Sequence, residues 1–209
     1  MFDQDYTIPM RGFVIKVSGS QLSAFATRHK LSDEIHRRIS ELFWLDLYVY
    51  FEGFNVDPDN ILCEIRYLEN GTPRTETKAA APFLHKPLKG LCHKHWFAAN
   101  FVPGNILNAY NDNHFGQEVE ALLASPKALT DPEGLAKDLA NKLTFGAFEG
   151  RAHNNKLTGQ WIVFAQHDQK NYYLCLNTHE AGNQAIFDRI NSYCTKDFPF
   201  LSALLAGMP

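Results

Sequence analysis

Trp161-Ile-Val-Phe-Ala-Gln-His-Asp-Gln-Lys-Asn-Tyr-Tyr-Leu-Cys-Leu176 is the stretch that decides the fold. Its two runs, Trp161 to Ala165 and Tyr172 to Leu176, are apolar at every position, and the polar segment Asp168-Gln-Lys-Asn171 separates them. A strand with one wet face alternates apolar and polar residues, whereas an unbroken apolar run suits a strand covered on both sides. The stretch therefore reads as a hairpin of central strands. An antiparallel sheet needs helices to cover it, so the expected class is α+β, with helices packed against the sheet.

Downstream of the hairpin, Ala185, Ile186, Arg189 and Ile190 recur at helical spacing, and Phe198-Pro-Phe200 with Leu201 to Leu205 should dock as a C-terminal cap. Upstream, Asp131 is placed as an N-cap and Pro132 at the first helical position, with Leu135, Leu139 and Leu143 as one stripe. Helices are also expected over Pro103–Tyr110 and Gln117–Ala124, and a Gly-, Asn- and His-containing loop over 146–159. Residues 131–205 thus form a helix-hairpin-helix part.

The first half reads differently. Residues 1–11 look like a loose lead-in, and Phe13-Val-Ile-Lys-Val17 a short strand. A helix should start at Ser32, an N-cap followed by Asp33 and Glu34 at the positive end of the dipole, with Ile35, Ile39, Leu42 and Phe43 inward. Trp44 to Phe54 is apolar and aromatic and is read as a strand, as is Ile61 to Tyr67, whose alternation puts Ile61, Cys63, Ile65 and Tyr67 on one face. Asn70-Gly71 is a hairpin signal, with Pro73 to Lys78 as the return strand. The expectation is an N-terminal meander over 12–80 within one α+β domain spanning residues 1–209.

At 209 residues the chain is long enough for one sizeable core, and with 45% hydrophobic and 21% charged residues it has the composition of an ordinary globular protein. A net charge of -3 speaks against a general nucleic-acid coat and leaves room for a local basic pocket. Cys63, Cys92, Cys175 and Cys194 are widely spaced without a CxxC, which suits reduced, buried thiols and a cytoplasmic location. The start, Met1-Phe-Asp-Gln-Asp-Tyr6, is acidic where a signal peptide is basic, and no apolar run approaches a membrane span. No membrane partner is expected.

Against this background Leu84-His-Lys-Pro-Leu-Lys-Gly-Leu-Cys-His-Lys-His-Trp96 is unusual. His85, His93 and His95 are interleaved with Lys86, Lys89 and Lys94. Imidazole exchanges protons near neutral pH, and ammonium groups beside it suit an anionic substrate. If residues 90–97 form a strand, His93 and His95 share one face and Cys92, Lys94 and Trp96 the other. If they form a helix, the two histidines diverge by about 200°. His85 should lie in a loop, between Pro82 and Pro87.

Cleavage of a phosphodiester without a metal needs a base for the 2′-hydroxyl, an acid for the leaving oxygen and a cation for the developing charge. Two histidines and a lysine satisfy that list. The leading expectation is a metal-independent phosphodiesterase or ribonuclease-like enzyme acting on RNA or another phosphate-containing ligand, with no cofactor. His93 or His95 would be base or acid, His85 the partner, and Lys89 or Lys86 the charge stabiliser. Lys94 would add substrate binding, as would Arg151 and Lys156 of the later loop, which also holds His153. A second expectation is a non-catalytic binding protein, such as an immunity, antitoxin or regulatory factor that meets a protein partner. A third is a zinc-dependent hydrolase built on the His-x-His pair, weakened because no acidic residue lies between Thr77 and Asn105 and neighbouring lysines repel a cation. His167 and His179 sit at hairpin strand ends. Asp168 is not paired with His167, because adjacent strand residues point to opposite faces. No GxSxG, P-loop or GxGxxG pattern occurs.

Overall fold

A computed structural model describes residues 2, 4–10, 12–72, 74–75, 77–97, 117, 120–131, 133–135, 138, 160–178 and 181–206. At its centre lies a four-stranded antiparallel sheet in the order β3 (Ala81–Pro82), β4 (Cys92–Trp96), β5 (Gln160–His167) and β6 (Lys170–Asn177). The hairpin expected from Trp161 to Leu176 is present, as β5 and β6. Its turn is tighter than the sequence suggests: His167 pairs with Lys170, leaving only Asp168 and Gln169 in the loop. Both have positive φ, 47° and 60°, as a two-residue loop that follows the right-handed strand twist requires.

Pleating sends alternate side chains to opposite sides, and each side has its own core. On one side Trp96, Ile162, Phe164, Tyr173 and Leu176 pack with three helices, α1 (Gly19–Arg28), α3 (Glu41–Phe54) and α4 (Asp59–Asn70). On the other, Val163, Ala165 and Cys175 pack with α6 (Asn183–Tyr193) and α7 (Phe200–Ala206), the helix and C-terminal cap expected from the sequence. A register shift between Val163 and Phe164 adds Leu174 to that second core. The mixed class and the covering of both sheet faces are as expected.

The N-terminal meander is overturned. Trp44 to Phe54 belongs to the 14-residue helix α3, and Ile61 to Tyr67 to the 12-residue helix α4. Aromatic and β-branched content suggested strands, but tertiary packing overrides that preference. Ser40 caps α3 by accepting from the Phe43 amide, and Asn55 closes it in the left-handed conformation. Ile61, Leu62 and Ile65 line one helical face of α4. Gly71, at φ 70°, ends α4 by donating its N–H to the Tyr67 carbonyl. Asn-Gly provides a left-handed residue either for a hairpin or for a helix end, and here the helix uses it. The described residues of the expected return strand, 74, 75, 77 and 78, accordingly form no named strand.

Two smaller expectations change as well, and one holds. The lead-in contains β1 (Tyr6–Met10), paired antiparallel with β2 (Phe13–Val17). The helix from Ser32 stops after one turn as α2 (Asp33–His36), because Ile39 bridges to Tyr173 and Ser40 starts the next helix. Asp131 does cap, accepting the Gly134 amide at 2.9 Å, after the single turn α5 (Lys127–Thr130). Residues 117, 120–123, 133–135 and 138 are helical. The helix expected over Pro103–Tyr110, Leu139, Leu143 and the 146–159 loop lie outside the described residues.

Candidate functional site

The undecided segment is a strand. Gly90, at φ 94°, closes the turn that precedes it, and β4 then pairs His93 with Val163 and His95 with Trp161. The pleat divides the basic cluster. His93 and His95 share one side of the sheet, with ring centroids 5.6 Å apart. His93 lies between two aromatic rings, Phe83 at 4.7 Å and Trp161 at 5.1 Å, and His95 is 6.4 Å from Trp161. His95 is buried and His93 and Trp161 are half-buried. The neighbouring rings limit how either imidazole can turn and exclude water from part of its surface.

The turn over 85–90 hangs from the same side. Leu88 and Leu91 are fully buried in the core shared with α6 and α7, and the Phe83 amide donates to the Leu91 carbonyl at 2.9 Å. Anchored in this way, the turn presents His85, Lys86 and Lys89 to solvent. The structure therefore brings His93 and His95 together and sets an exposed basic turn on their side of the sheet.

Lys94 faces the other way. Its side chain is fully buried and ion-paired to Glu64 at 2.9 Å, itself buried on α4. The ammonium also donates to the Lys78 carbonyl at 2.8 Å, to the Thr77 hydroxyl and, at 3.4 Å, to Thr75, and lies over the Tyr67 ring. Burial lowers its pKa below the ordinary lysine value, and Glu64 opposes the shift. All its donors are turned to protein groups on the side away from the histidines. Lys94, expected to bind substrate, is turned instead to holding β4 and α4 to Thr75, Thr77 and Lys78. Arg151, His153, Lys156 and His179 lie outside the described residues.

His167 stacks flat on Phe200, 4.1 Å between centroids and 4° between planes. Its Nε2 is 3.5 Å from an Asp168 oxygen. The strand argument that separated these two fails because Asp168 is in the turn, yet both side chains are exposed, and this is a surface contact.

Two buried ionic clusters escape the sequence reading. Arg38 grips Glu69 bidentately, at 2.9 and 2.6 Å, and donates to the Asn171 carbonyl; the Tyr173 hydroxyl completes the carboxylate at 2.6 Å. Burial alone would raise Glu69, but these bonds hold it below the ordinary glutamate range. The cluster floors a polar cleft of about 580 Å³ walled by Lys30, Glu34, Arg66 and Lys170. On α3, Asp46 accepts from Arg189 at 2.5 Å and from the Leu176 amide at 3.0 Å. These partners are 31 and 143 residues apart, so no local spacing signals them. Trp161 was the one neighbour of the histidines that could have been found, since the pairing of two recognisable strands places it opposite His95.

All four cysteines are free, and burial pushes Cys63 up to about 11 and Cys194 up to about 12. Thiols so shifted are poor nucleophiles near neutral pH. Among the described residues no three His, Cys, Asp or Glu side chains converge as a metal-ligand group. No described helix is long and apolar enough to cross a membrane.

Fold and site together define an α+β protein with helices on both faces of an antiparallel sheet and an imidazole pair on one of them. Comparison of the chain with protein-family models, with curated proteins and with solved structures gives no match.

Proposed function

We propose that the His93–His95 face is an acid–base site for metal-independent cleavage of a phosphodiester, with RNA as the substrate. The observation that carries this reading is the 5.6 Å separation of two imidazoles on one strand face beside a half-buried tryptophan. One imidazole takes the proton of the ribose 2′-hydroxyl as its oxygen attacks phosphorus. The other protonates the 5′-oxygen as the P–O bond breaks, leaving a 2′,3′-cyclic phosphate and a free 5′-hydroxyl. Trp161 offers a face on which a base can stack. With Lys94 committed to Glu64, charge stabilisation falls to Lys89 and Lys86 of the exposed turn, with His85 beside them. Four free cysteines support a reducing, cytoplasmic setting for this activity.

The test is incubation of the purified protein with an RNA oligonucleotide and its DNA counterpart in excess EDTA. Expected are RNA cleavage with cyclic phosphate ends, intact DNA, and a loss of at least about 100-fold for His93→Ala and for His95→Ala. Undiminished cleavage by both variants contradicts the reading, and so does cleavage that needs added zinc.

A second reading, a non-catalytic partner-binding protein, has one observation in its favour. Phe13, Phe51 and Phe54 are exposed, at 46, 36 and 48%, and the Phe13 ring lies against Gly53. The patch joins the β1–β2 hairpin to the end of α3. A protein partner held there, with no turnover of RNA, would favour this reading.

A further inference from the structure

A cavity of about 220 Å³ opens between three distant parts of the chain, β1, the first turns of α3, and the end of α6 with Lys196 beyond it. Ile8, Leu42 and Leu45 give it apolar walls, while Tyr6, Glu41, Arg189, Tyr193 and Lys196 bring polar groups to the same space. A concave, partly apolar hollow with a few converging polar groups is the usual form of a small-molecule site. Nothing in the proposed cleavage reaction uses it.

Its charged groups are fixed unequally. Arg189 is held from behind: Asp46 takes one terminal nitrogen, and the Leu176 carbonyl and Asn177 lie 3.4 Å from the other. About a third of the Arg189 side chain remains exposed, so a positively charged plane is set rigidly in the cavity wall. Glu41 is anchored only at one oxygen, on exposed Lys196 at 3.0 Å. Its other oxygen, Oε1, is buried with no hydrogen-bond partner. A buried carboxylate oxygen without a donor is costly. The terminal carboxylate torsion is soft, so a small rotation turns that oxygen toward the hollow.

We infer that this cavity binds a small zwitterion with an apolar side chain, of the α-amino acid type. The ligand carboxylate would sit on Arg189, its ammonium on Glu41, and its side chain among Ile8, Leu42 and Leu45. The ligand carboxylate then meets a guanidinium already lining the cavity, and a turn of the Glu41 carboxylate gives the orphaned oxygen its donor. An anion alone would leave Glu41 unsatisfied, and an amine alone would face Arg189. Free phosphate would leave the apolar wall uncovered.

The experiment is an amide-resolved NMR titration of the full chain with four probes: L-phenylalanine, 3-phenylpropionate, phenethylamine and inorganic phosphate. Expected are saturable shifts around residues 6–8, 41–45 and 189–196 with L-phenylalanine, and at least tenfold weaker binding of the other three. Arg189 is left intact because it also ties α6 to Asp46. Glu41→Gln should weaken L-phenylalanine at least tenfold while leaving 3-phenylpropionate unchanged, and Leu45→Trp, which fills the hollow, should abolish both. The variants are first matched to the parent by their unperturbed spectra elsewhere. Absence of saturable shifts, equal binding of the single-charge probes, or shifts that persist in Leu45→Trp would each overturn the inference. RNA cleavage plays no part in the readout, so its failure and this one are separate.

Discussion

On one side of β4 the Lys94 ammonium is closed in by Glu64, Thr77, Thr75 and the Lys78 carbonyl. On the other, one residue away in each direction, His93 and His95 lie among Phe83 and Trp161 beside an exposed basic turn. The three side chains look alike in the sequence, as members of one basic cluster. The pleat makes them different. A charge that is buried and fully partnered belongs to the framework, whereas imidazoles beside a half-buried aromatic surface are the groups to which the proposed reaction assigns proton transfer.

The most drastic way to probe this contrast is Lys94→Met. It leaves the Glu64 carboxylate buried without its cation, and the expected loss in urea-unfolding free energy is about 3–5 kcal/mol. Adding Glu64→Leu should recover most of that loss, because an apolar pair of similar volume removes the stranded charge. A small effect of Lys94→Met alone would mean that the ammonium is not committed to the framework.

A second, smaller effect concerns the other ionic cluster on the α1, α3 and α4 side. Glu69 is held below its ordinary value of 4.5, the hydrogen bonds from Arg38 and Tyr173 outweighing burial. A carboxyl depressed in the folded state adds stability above its unfolded pKa, and that contribution is lost as pH falls through the folded value. Unfolding free energy should therefore drop as the pH goes below 4.5, and Glu69→Gln should make that drop shallower. An identical pH profile in the variant would show that Glu69 is not depressed.

The smallest effect on stability should come from the histidine face. His93→Gln and His95→Gln keep a planar polar group on the strand, and each is expected to cost about 1 kcal/mol or less, well under Lys94→Met. Unfolding of either variant at room temperature would place these imidazoles in the framework too.

The contrast also explains what could be read in advance. Parity along a strand is a local property, so the division of Cys92 to Trp96 into two faces was legible once β4 was known to be a strand. So was the β5–β6 hairpin, because the unbroken apolar runs and polar turn are contiguous. The partner of Lys94 was not legible, since Glu64 lies on a helix 30 positions earlier whose residues alternate like a strand. Helices α3 and α4 were misread for a related reason. In α3 burial on most sides erases the period that separates helix from strand, whereas α4 buries one helical face, Ile61, Leu62 and Ile65, and the chance alternation of Ile61, Cys63, Ile65 and Tyr67 imitates a strand. The punctuation was present in Ser40, Asn55 and Gly71, but Asn70-Gly71 fits a helix end and a hairpin equally well.

The most direct test of the account sets the two faces of β4 against each other in one experiment. Unfolding free energy and metal-free RNA cleavage are measured for Lys94→Met/Glu64→Leu and for His93→Gln/His95→Gln. The expected outcome is that the first pair cleaves RNA at close to the parent rate, while the second stays folded and loses at least about 100-fold in rate. Retention of cleavage by the folded histidine variant would contradict the assignment of the two faces.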